Sequence, residues 1–184
     1  MEMNKDWIFI NNINIEHVSK VINRMIKNQT PMSTENRSTE GKKSKQYELF
    51  DLINSHEIIN IMKEHILQNM STFIKQNIQL NLLSAWTVLG DKGSYHTLHR
   101  HNEKKEKYRN QIASVLYLDV PKNSSKEQGN FYCVLRDNDS IKYYTHKPKQ
   151  GDLIIFPVWL WHGVYPQEKG LRQTLNLDFE INAL

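Results

Sequence analysis

The sequence predicts an α+β fold in which helices back one face of a mainly antiparallel β-sandwich or barrel. Two observations lead to this prediction. Apolar residues recur at helical spacing in the first part of the chain, and from about residue 81 the hydrophobic pattern changes to a period of two. A third observation, the pair of histidines in His99-Arg100-His101 followed much later by His162 and Arg172, predicts a metal site inside the barrel, with a fixed cation beside it.

Two amphipathic helices are expected before the strands. Apolar residues at helical spacing predict the first helix from about residue 14 to 28. Ser55 is a candidate N-cap for a second, longer helix. Its apolar stripe would comprise Ile58, Ile59, Met62, Ile66, Met70, Phe73 and Ile74.

Six strands are expected after residue 81, separated by turns at Gly90–Gly93, at Pro121 and the polar loop through Gly129, and at Asp137–Ser140. The strands are predicted over residues 82–89, 112–120, 130–135, 141–145, 153–156 and 171–181. A strand from 171 to 181 would place Arg172, Thr174, Asn176 and Asp178 on one face and leucines and Phe179 on the other. An arginine that points inward needs Asp178, another acid or an acidic ligand to neutralise it, because an unpaired buried charge is costly.

Length and composition fit one domain, residues 1–184, with residues 1–80 as helical support and residues 81–184 as the β-barrel core that carries the metal site. The chain has 184 residues, enough to bury a sizeable core without disulfides. Its single cysteine, Cys133, excludes an internal disulfide and fits a reducing cytoplasm. We expect Cys133 to be a small apolar filler in a strand.

Charge and hydropathy narrow the partners. No apolar run is long enough to cross a bilayer, and the first residues do not resemble a secretory signal, so we expect a cytoplasmic protein without a membrane partner. The net charge of +4 comes mainly from two basic runs, Lys42–Lys45 and Lys104–Arg109. These runs form either solvated loops or a basic rim that attracts an anionic substrate. No nucleic-acid-binding motif is present, so nucleic acid is not expected.

The histidines have the spacing of metal ligands. Two histidines one residue apart can serve one site if they lie on a strand, because alternate strand residues share a face. His162 follows a buried apolar stretch, and three imidazoles can hold a divalent metal while leaving positions open for substrate and oxygen. Spacing alone leaves open whether the third ligand is His101 or a carboxylate. The candidate carboxylates are Asp119, Asp178 and Glu106.

Three segments resemble a known family: residues 93–101 (GSYHTLHRH), 113–121 (ASVLYLDVP) and 151–166 (GDLIIFPVWLWHGVYP). Together with Arg172 they are similar to the 2-oxoglutarate/iron(II)-dependent oxygenases common in phages and marine bacteria, over about residues 84–180. The last segment is the most specific. The resemblance implies a double-stranded β-helix, a jelly-roll or cupin-like barrel, with iron(II) as cofactor and 2-oxoglutarate and O2 as cosubstrates.

The resemblance also implies roles for particular residues. His99 and His162 would be iron ligands, and His101 would occupy the third position, where such oxygenases usually have a carboxylate. Arg172 would pair with the distal carboxylate of 2-oxoglutarate. Thr174, on the same strand face, and Tyr117, whose ring we place inside the barrel, are further candidates for binding that carboxylate. The implied reaction is a dioxygenase reaction that hydroxylates an unidentified substrate and releases succinate and CO2.

Two alternatives remain open. A cupin-type metal enzyme, an isomerase or an oxygenase without 2-oxoglutarate, would use Glu106 as a fourth ligand. Its motifs match the spacing of Gly93, His99, His101, Glu106, Gly151, Pro157 and His162, but Trp159 and Pro166 depart from them and Arg172 has no role. The second alternative is a non-catalytic barrel that binds a sugar, a nucleotide or a protein.

Substrate choice and oligomeric state are not specified by these motifs. Loops set specificity in such barrels, here residues 29–45, 102–111 and 121–129. Trp159 and Trp161 are expected to pack in the protein, with one of them as an alternative wall of the pocket. A homodimer through the helical face or a strand edge is compatible with the sequence.

Overall fold

A computed structural model describes residues 8–32, 44–71, 77–101, 110–122, 126–137 and 140–184. Ten strands and three helices lie within these ranges. The strands are β1 (Phe9–Asn12), β2 (Ser44–Glu48), β3 (Ile78–Gly90), β4 (His96–His99), β5 (Gln111–Asp119), β6 (Phe131–Asp137), β7 (Ser140–His146), β8 (Asp152–Pro157), β9 (Trp161–Val164) and β10 (Arg172–Ala183). The helices are α1 (Glu16–Ile26), α2 (Phe50–Ile53) and α3 (Glu57–Met70).

The strands form two antiparallel sheets. The larger sheet has the order β1-β8-β5-β10-β3-β2, and the smaller has the order β4-β9-β6-β7. Every pair of neighbouring strands in the two sheets is antiparallel. The two sheets and the flanking helices confirm the predicted α+β class. Among the described residues, no helix has both the length and the apolar character needed to cross a bilayer.

The larger sheet separates two apolar cores. On its outer face, buried side chains of α1 and α3, such as Ile22 and Met62, pack against alternate residues of the central strands β5 and β10. On its inner face a second cluster fills the space toward the smaller sheet and includes Ala113, Tyr117, Phe131, Cys133, Ile154 and Phe156. The central strands are therefore buried on both faces, while each face keeps the period of two expected of a strand.

Strand β10 has the two faces that its sequence predicts. Leu175, Leu177 and Phe179 belong to the helix-facing core, whereas Arg172 and Thr174 line a pocket between the sheets. The ladder with β3 pairs Asp178 with Ser84 but Phe179 with Leu82, so Leu83 is an extra residue in β3. Such a bulge changes which face the following side chains occupy.

The first eighty residues differ from the expected helical support, because they also contribute β1 and β2 to the two edges of the larger sheet. Strand β2 escapes a hydrophobic-pattern search because its two buried residues, Ser44 and Gln46, are polar. Strand β1 has only four residues and no alternating pattern. The division into a single domain of 1–184 remains a prediction.

The start of α3 differs from the expected one by a single residue. The N-cap of α3 is His56 rather than Ser55, and its Nδ1 accepts a hydrogen bond of 3.2 Å from the backbone N–H of Ile58. An unprotonated imidazole nitrogen can accept from a free helical N–H as a serine oxygen does. The expected stripe residues Phe73 and Ile74 lie outside the described residues, as do Asn138 and Asp139 of the predicted hairpin turn.

Candidate metal and cosubstrate site

All six predicted site residues line one pocket between the two sheets. His99, His101 and His162 come from the side of the smaller sheet, and Tyr117, Arg172 and Thr174 come from β5 and β10 of the larger sheet. The remaining lining residues are Trp86, His96, Val115, Phe131, Val164 and Asn176. Residues that are distant in the sequence thus meet because the two sheets face each other at this end of the sandwich.

The three predicted metal-ligating histidines converge. One nitrogen from each of His99, His101 and His162 lies within 4.8 Å of the other two, and no other described residue joins this group. His99 and His162 are Cα partners in the β4–β9 ladder. The ring of His101 lies 5.6 Å from that of His99 and 5.0 Å from that of His162, measured between centroids.

The expectation that His99 and His101 lie on the same strand is wrong. Strand β4 ends at His99, and His101 follows it in a bend, where its backbone N–H donates to the carbonyl of Val158 at 3.0 Å. The ladder with β9 has an extra residue in β4 between His96 and His99, so the strand is irregular before it ends. The contact with Val158 holds His101 beside the turn that links β8 to β9, the strand that carries His162.

Each of the three imidazoles has a hydrogen bond between its Nδ1 atom and an oxygen. The partners are the carbonyl oxygens of Thr97 for His99 and Leu160 for His162, and the carboxylate of Asp178 for His101, all at 2.8 Å. Carbonyl and carboxylate oxygens only accept, so each Nδ1 carries the hydrogen and donates it. In a neutral ring with this tautomer, Nε2 is the unprotonated nitrogen, which is the form that binds a metal.

Burial keeps the rings of His99 and His162 neutral. Loss of solvent lowers the pKa of His99 and lowers that of His162 well below its ordinary value. The neighbouring histidines act in the same direction on the pKa of His162, because each would repel a second positive charge. Three imidazole nitrogens this close together fit a divalent transition metal and leave coordination positions for other ligands.

Neither of the two described alternative carboxylates, Asp119 and Asp178, belongs to the histidine cluster. Asp178 contacts His101 instead, and its second oxygen accepts from the hydroxyl of Ser84 at 3.0 Å. Asp119 is exposed at the end of β5. Glu106 lies outside the described residues, as does the whole basic run from 104 to 109.

Arg172 is buried without a protein partner in the part of the chain that the structure describes. Arg172 is only 3% exposed, and neither terminal nitrogen of its guanidinium has a hydrogen bond to a described residue. Burial lowers the pKa of this guanidinium. Asp178, one of the expected partners, is engaged with His101 and Ser84, so the remaining expectation, an acidic ligand, fits the site best.

Two hydroxyls are placed near this cation. The Tyr117 hydroxyl is buried and has no hydrogen bond to a described residue, and burial raises its pKa to about 12, so it is a neutral donor. Thr174 Oγ1 accepts from the side-chain amide of Asn176 at 3.2 Å, which leaves its own hydrogen to donate. A guanidinium and two hydroxyl donors together suit a carboxylate.

His96 is a pocket residue that the sequence did not single out as a site residue. Burial and the positive charge of Arg172 lower its pKa to about 3, with smaller contributions from His99 and His101. Its ring centroid lies 6.2 Å from that of His99. Residues 96 and 99 cannot share a face in a regular strand, so the period of two hides His96, and only the extra residue in β4 brings it into the pocket.

The tryptophan prediction is wrong for Trp161. This residue is 42% exposed, and the Arg100 guanidinium lies over its ring at 5.0 Å from the centroid. It sits at the start of β9, whose next residue, His162, points inward, so alternation turns Trp161 outward. Trp159 is half-buried and is not a lining residue of the pocket. Cys133 is fully buried, as expected of an apolar filler.

Comparison with known proteins identifies the class. The sequence profile of the 2OG-Fe(II) oxygenase family matches residues 84–178, more than half of the chain and the part that carries the site. The chain belongs to this family and is an iron(II)- and 2-oxoglutarate-dependent oxygenase, with O2 as cosubstrate. This membership favours neither the cupin alternative nor the non-catalytic barrel.

Solved structures share the fold at low sequence identity. The viral collagen prolyl hydroxylase vCPH from Paramecium Bursaria Chlorella virus-1, in complex with 2OG, is 16% identical with a TM-score of 0.64, and the match covers 97% of each chain. A prolyl-4-hydroxylase from Pseudomonas putida is 15% identical with a TM-score of 0.60, covering 94% of this chain and 91% of that one. These matches confirm the predicted double-stranded β-helix.

A third match is HygX from Streptomyces hygroscopicus, solved with nickel, 2-oxoglutarate and hygromycin B bound. It is 12% identical with a TM-score of 0.65, covering 97% of this chain and 87% of that chain. No curated protein sequence matches the chain significantly.

Proposed function

We propose that this oxygenase binds iron(II) through His99, His101 and His162 and hydroxylates its substrate. One observation carries the proposal. Three imidazoles converge in a pocket that also contains Arg172, a buried cation with no partner among the described residues. A divalent metal satisfies the first group, and a carboxylate satisfies the second.

Arg172 would hold the distal carboxylate of 2-oxoglutarate. A planar guanidinium can donate two parallel hydrogen bonds to a carboxylate, and exclusion of water strengthens the pair. The Tyr117 and Thr174 hydroxyls would donate to the same group. The keto-acid end of 2-oxoglutarate would then be oriented toward the histidines, because β10 and β5 hold these donors at the opposite side of the pocket.

The bound iron would supply the redox chemistry that couples decarboxylation of 2-oxoglutarate to oxygen insertion. In the overall reaction, 2-oxoglutarate, O2 and a substrate C–H group give succinate, CO2 and a C–OH group. The protein contributes orientation and a site with little water. Apolar pocket walls such as Val115, Phe131 and Val164 would limit side reactions with solvent.

The substrate is proposed to be a small or anionic molecule. Support for an anionic substrate comes from the net charge of +4 and the two basic runs in the predicted specificity loops. A Michaelis constant that rises with ionic strength would agree with this proposal. A constant that does not change with salt would contradict it.

The test is a titration of the iron(II)-loaded protein with 2-oxoglutarate under anaerobic conditions, followed by the visible absorption of the metal–keto-acid chelate. We expect saturable binding in the wild type and at least a hundredfold weaker binding in Arg172→Ala. The matched control is Arg24→Ala, an exposed arginine in α1, which should bind as the wild type does. Equal affinities in the two variants would contradict the role of Arg172.

A further inference from the structure

His101 differs from the other two proposed ligands in what holds its ring. The Nδ1 atoms of His99 and His162 donate to backbone carbonyls, which are neutral. The Nδ1 atom of His101 donates to Oδ1 of Asp178 at 2.8 Å. Among the three, His101 therefore has the partner with a full negative charge.

The Asp178 carboxylate is shielded and fully engaged. The side chains of His101 and Asp178 are 12% and 14% exposed. Oδ2 of Asp178 accepts from the Ser84 hydroxyl at 3.0 Å, so each carboxylate oxygen has a donor. A charge in such a place interacts with its neighbours more strongly than a surface charge does.

The strand pairing places the Asp178 carboxylate beside His101. Asp178 lies on β10, the strand that also carries Arg172, and its Cα partners are Ser84 on β3 and Ala113 on β5. The extra residue Leu83 lies between Leu82 and Ser84 in β3. Because of it, Ser84 faces the same side as Asp178, whereas Leu82 packs against the helix-facing core. The bulge thus allows Ser84, Asp178 and His101 to be linked by hydrogen bonds next to the pocket.

We propose that Asp178 is a positioning residue that orients His101 and supplies, through a hydrogen bond to this proposed ligand, the negative charge that a set of three imidazoles lacks. This inference rests on the proposed metal site. A carboxylate on the far nitrogen makes an imidazole a stronger electron donor and fixes its ring orientation. It also offsets part of the double positive charge that three neutral ligands leave on a divalent ion.

The replacement of a carboxylate ligand by His101 is then compensated within the same chain. The negative charge remains in the site, but it is moved from the metal to the second nitrogen of the ligand. Since the carboxylate is bound to His101 and Ser84, it does not occupy a coordination position. Those positions stay free for the cosubstrates.

The test compares Asp178→Asn with Asp119→Asn, the same change at an exposed aspartate. An asparagine at 178 keeps an oxygen that can accept from His101 but removes the charge. We expect iron(II) affinity, measured anaerobically by competition with a chelator, to fall ten- to a hundredfold in Asp178→Asn. The midpoint potential of the bound iron should rise, because loss of a negative charge disfavours the oxidised ion, by about 59 mV for each tenfold change in relative affinity.

Ser84→Ala gives a second measurement that does not depend on the folding of Asp178→Asn. It removes one hydrogen bond to Asp178 and leaves the charge. We expect a several-fold loss of iron(II) affinity with an unchanged midpoint potential. Asp119→Asn should change neither quantity.

Two results would overturn the inference. If Asp178→Asn matches Asp119→Asn in affinity, or if its affinity falls while the potential stays constant, Asp178 does not supply the charge. If iron(II) binds equally to the wild type and to His162→Ala, the three-histidine site itself is wrong, and that result is distinguishable because it appears without any change at Asp178.

Discussion

His99 and His162 are Cα partners across the β4–β9 ladder, and their ring centroids lie 4.4 Å apart. The backbone ladder and the carbonyl contacts of the two Nδ1 atoms set this spacing. The proposed ligands are therefore largely preorganised. Metal binding should add to the stability of a folded protein rather than create the fold.

The first prediction concerns metal and thermal stability. A divalent metal that binds the folded state alone, at a hundred times its dissociation constant, should stabilise the protein by about 2.7 kcal/mol. Thermal unfolding with and without nickel(II), a redox-stable probe, measures this effect. His162→Ala should unfold at a temperature that does not depend on nickel(II), and an equal nickel-induced shift in that variant would argue against the site.

The second prediction separates stability from function at Arg172. Arg172→Met keeps the aliphatic volume but removes a buried cation that has no partner among the described residues. We expect the free energy of unfolding of the ligand-free protein to stay constant or to rise by about 1–3 kcal/mol, whereas 2-oxoglutarate binding is lost. Urea unfolding without ligand checks the first part, and a strong destabilisation would indicate that the guanidinium has a partner in the protein.

The third prediction is a loss of stability in acid that depends on the pocket histidines. The folded-state pKa of His96 is about 3, and those of His99 and His162 are also lowered, so these rings stay neutral when the unfolded chain takes up protons near pH 6.5. The unfolded state then binds more protons, and stability falls as the pH drops below about 6.5.

The measurement is urea unfolding of the metal-free protein between pH 7.5 and pH 5. Each affected histidine contributes at most about 1.4 kcal/mol per pH unit in this window. His96→Asn should lose less stability over the same range than the wild type. Identical slopes would mean that His96 is protonated in the folded protein.

The fourth prediction concerns the close approach at Gly90. A Cβ atom at this position would lie 2.3 Å from Ser94 Oγ and 3.0 Å from Ser94 Cβ, with a terminal nitrogen of Arg172 at 3.6 Å. Gly90→Ala should therefore destabilise the protein by about 1–3 kcal/mol and weaken 2-oxoglutarate binding through displacement toward Arg172.

Ser94→Ala provides the matched rescue. The Ser94 hydroxyl is buried and has no hydrogen bond to a described residue, so its removal alone should cost little. The double variant Gly90→Ala/Ser94→Ala should recover part of the lost stability in chemical denaturation. A double variant as unstable as the sum of the two single changes would exclude this contact as the cause.

The fifth prediction is that Cys133 is unreactive in the folded protein. It is fully buried, and burial raises the pKa of its thiol to about 11, so the reactive thiolate is scarce at neutral pH. A thiol reagent should modify less than a tenth of the protein in native buffer over the time in which the guanidinium-unfolded chain reacts completely. Rapid native labelling would show that the inner core opens readily.

The site was more predictable from the sequence than the strand set was. His99, His101, His162 and Arg172 are distinctive residue types, and their side chains need no detailed geometry to suggest metal and carboxylate chemistry. The face of β10 was predictable because a central strand keeps the period of two over its whole length.

Other features were not predictable from the sequence, because they depend on irregular backbone or on tertiary contacts. His96 reaches the pocket through an extra residue in β4, and His101 approaches the other two proposed ligands from beyond the end of that strand. The period of two places Asp178 on the same face as Arg172 but does not say which residue it contacts. Only the tertiary structure pairs Asp178 with His101. Strand β2 was missed because tertiary contacts, rather than apolar side chains, bury it.

Strand β1 has a consequence for handling of the protein. It pairs along β8, a strand whose six residues are all buried and which leads through a turn into β9 and His162. Removal of residues 1–12 would expose the backbone edge of an apolar strand, a surface on which a second chain can add. A shortened amino terminus would thus favour self-association, starting at the strand that precedes the proposed metal ligand His162.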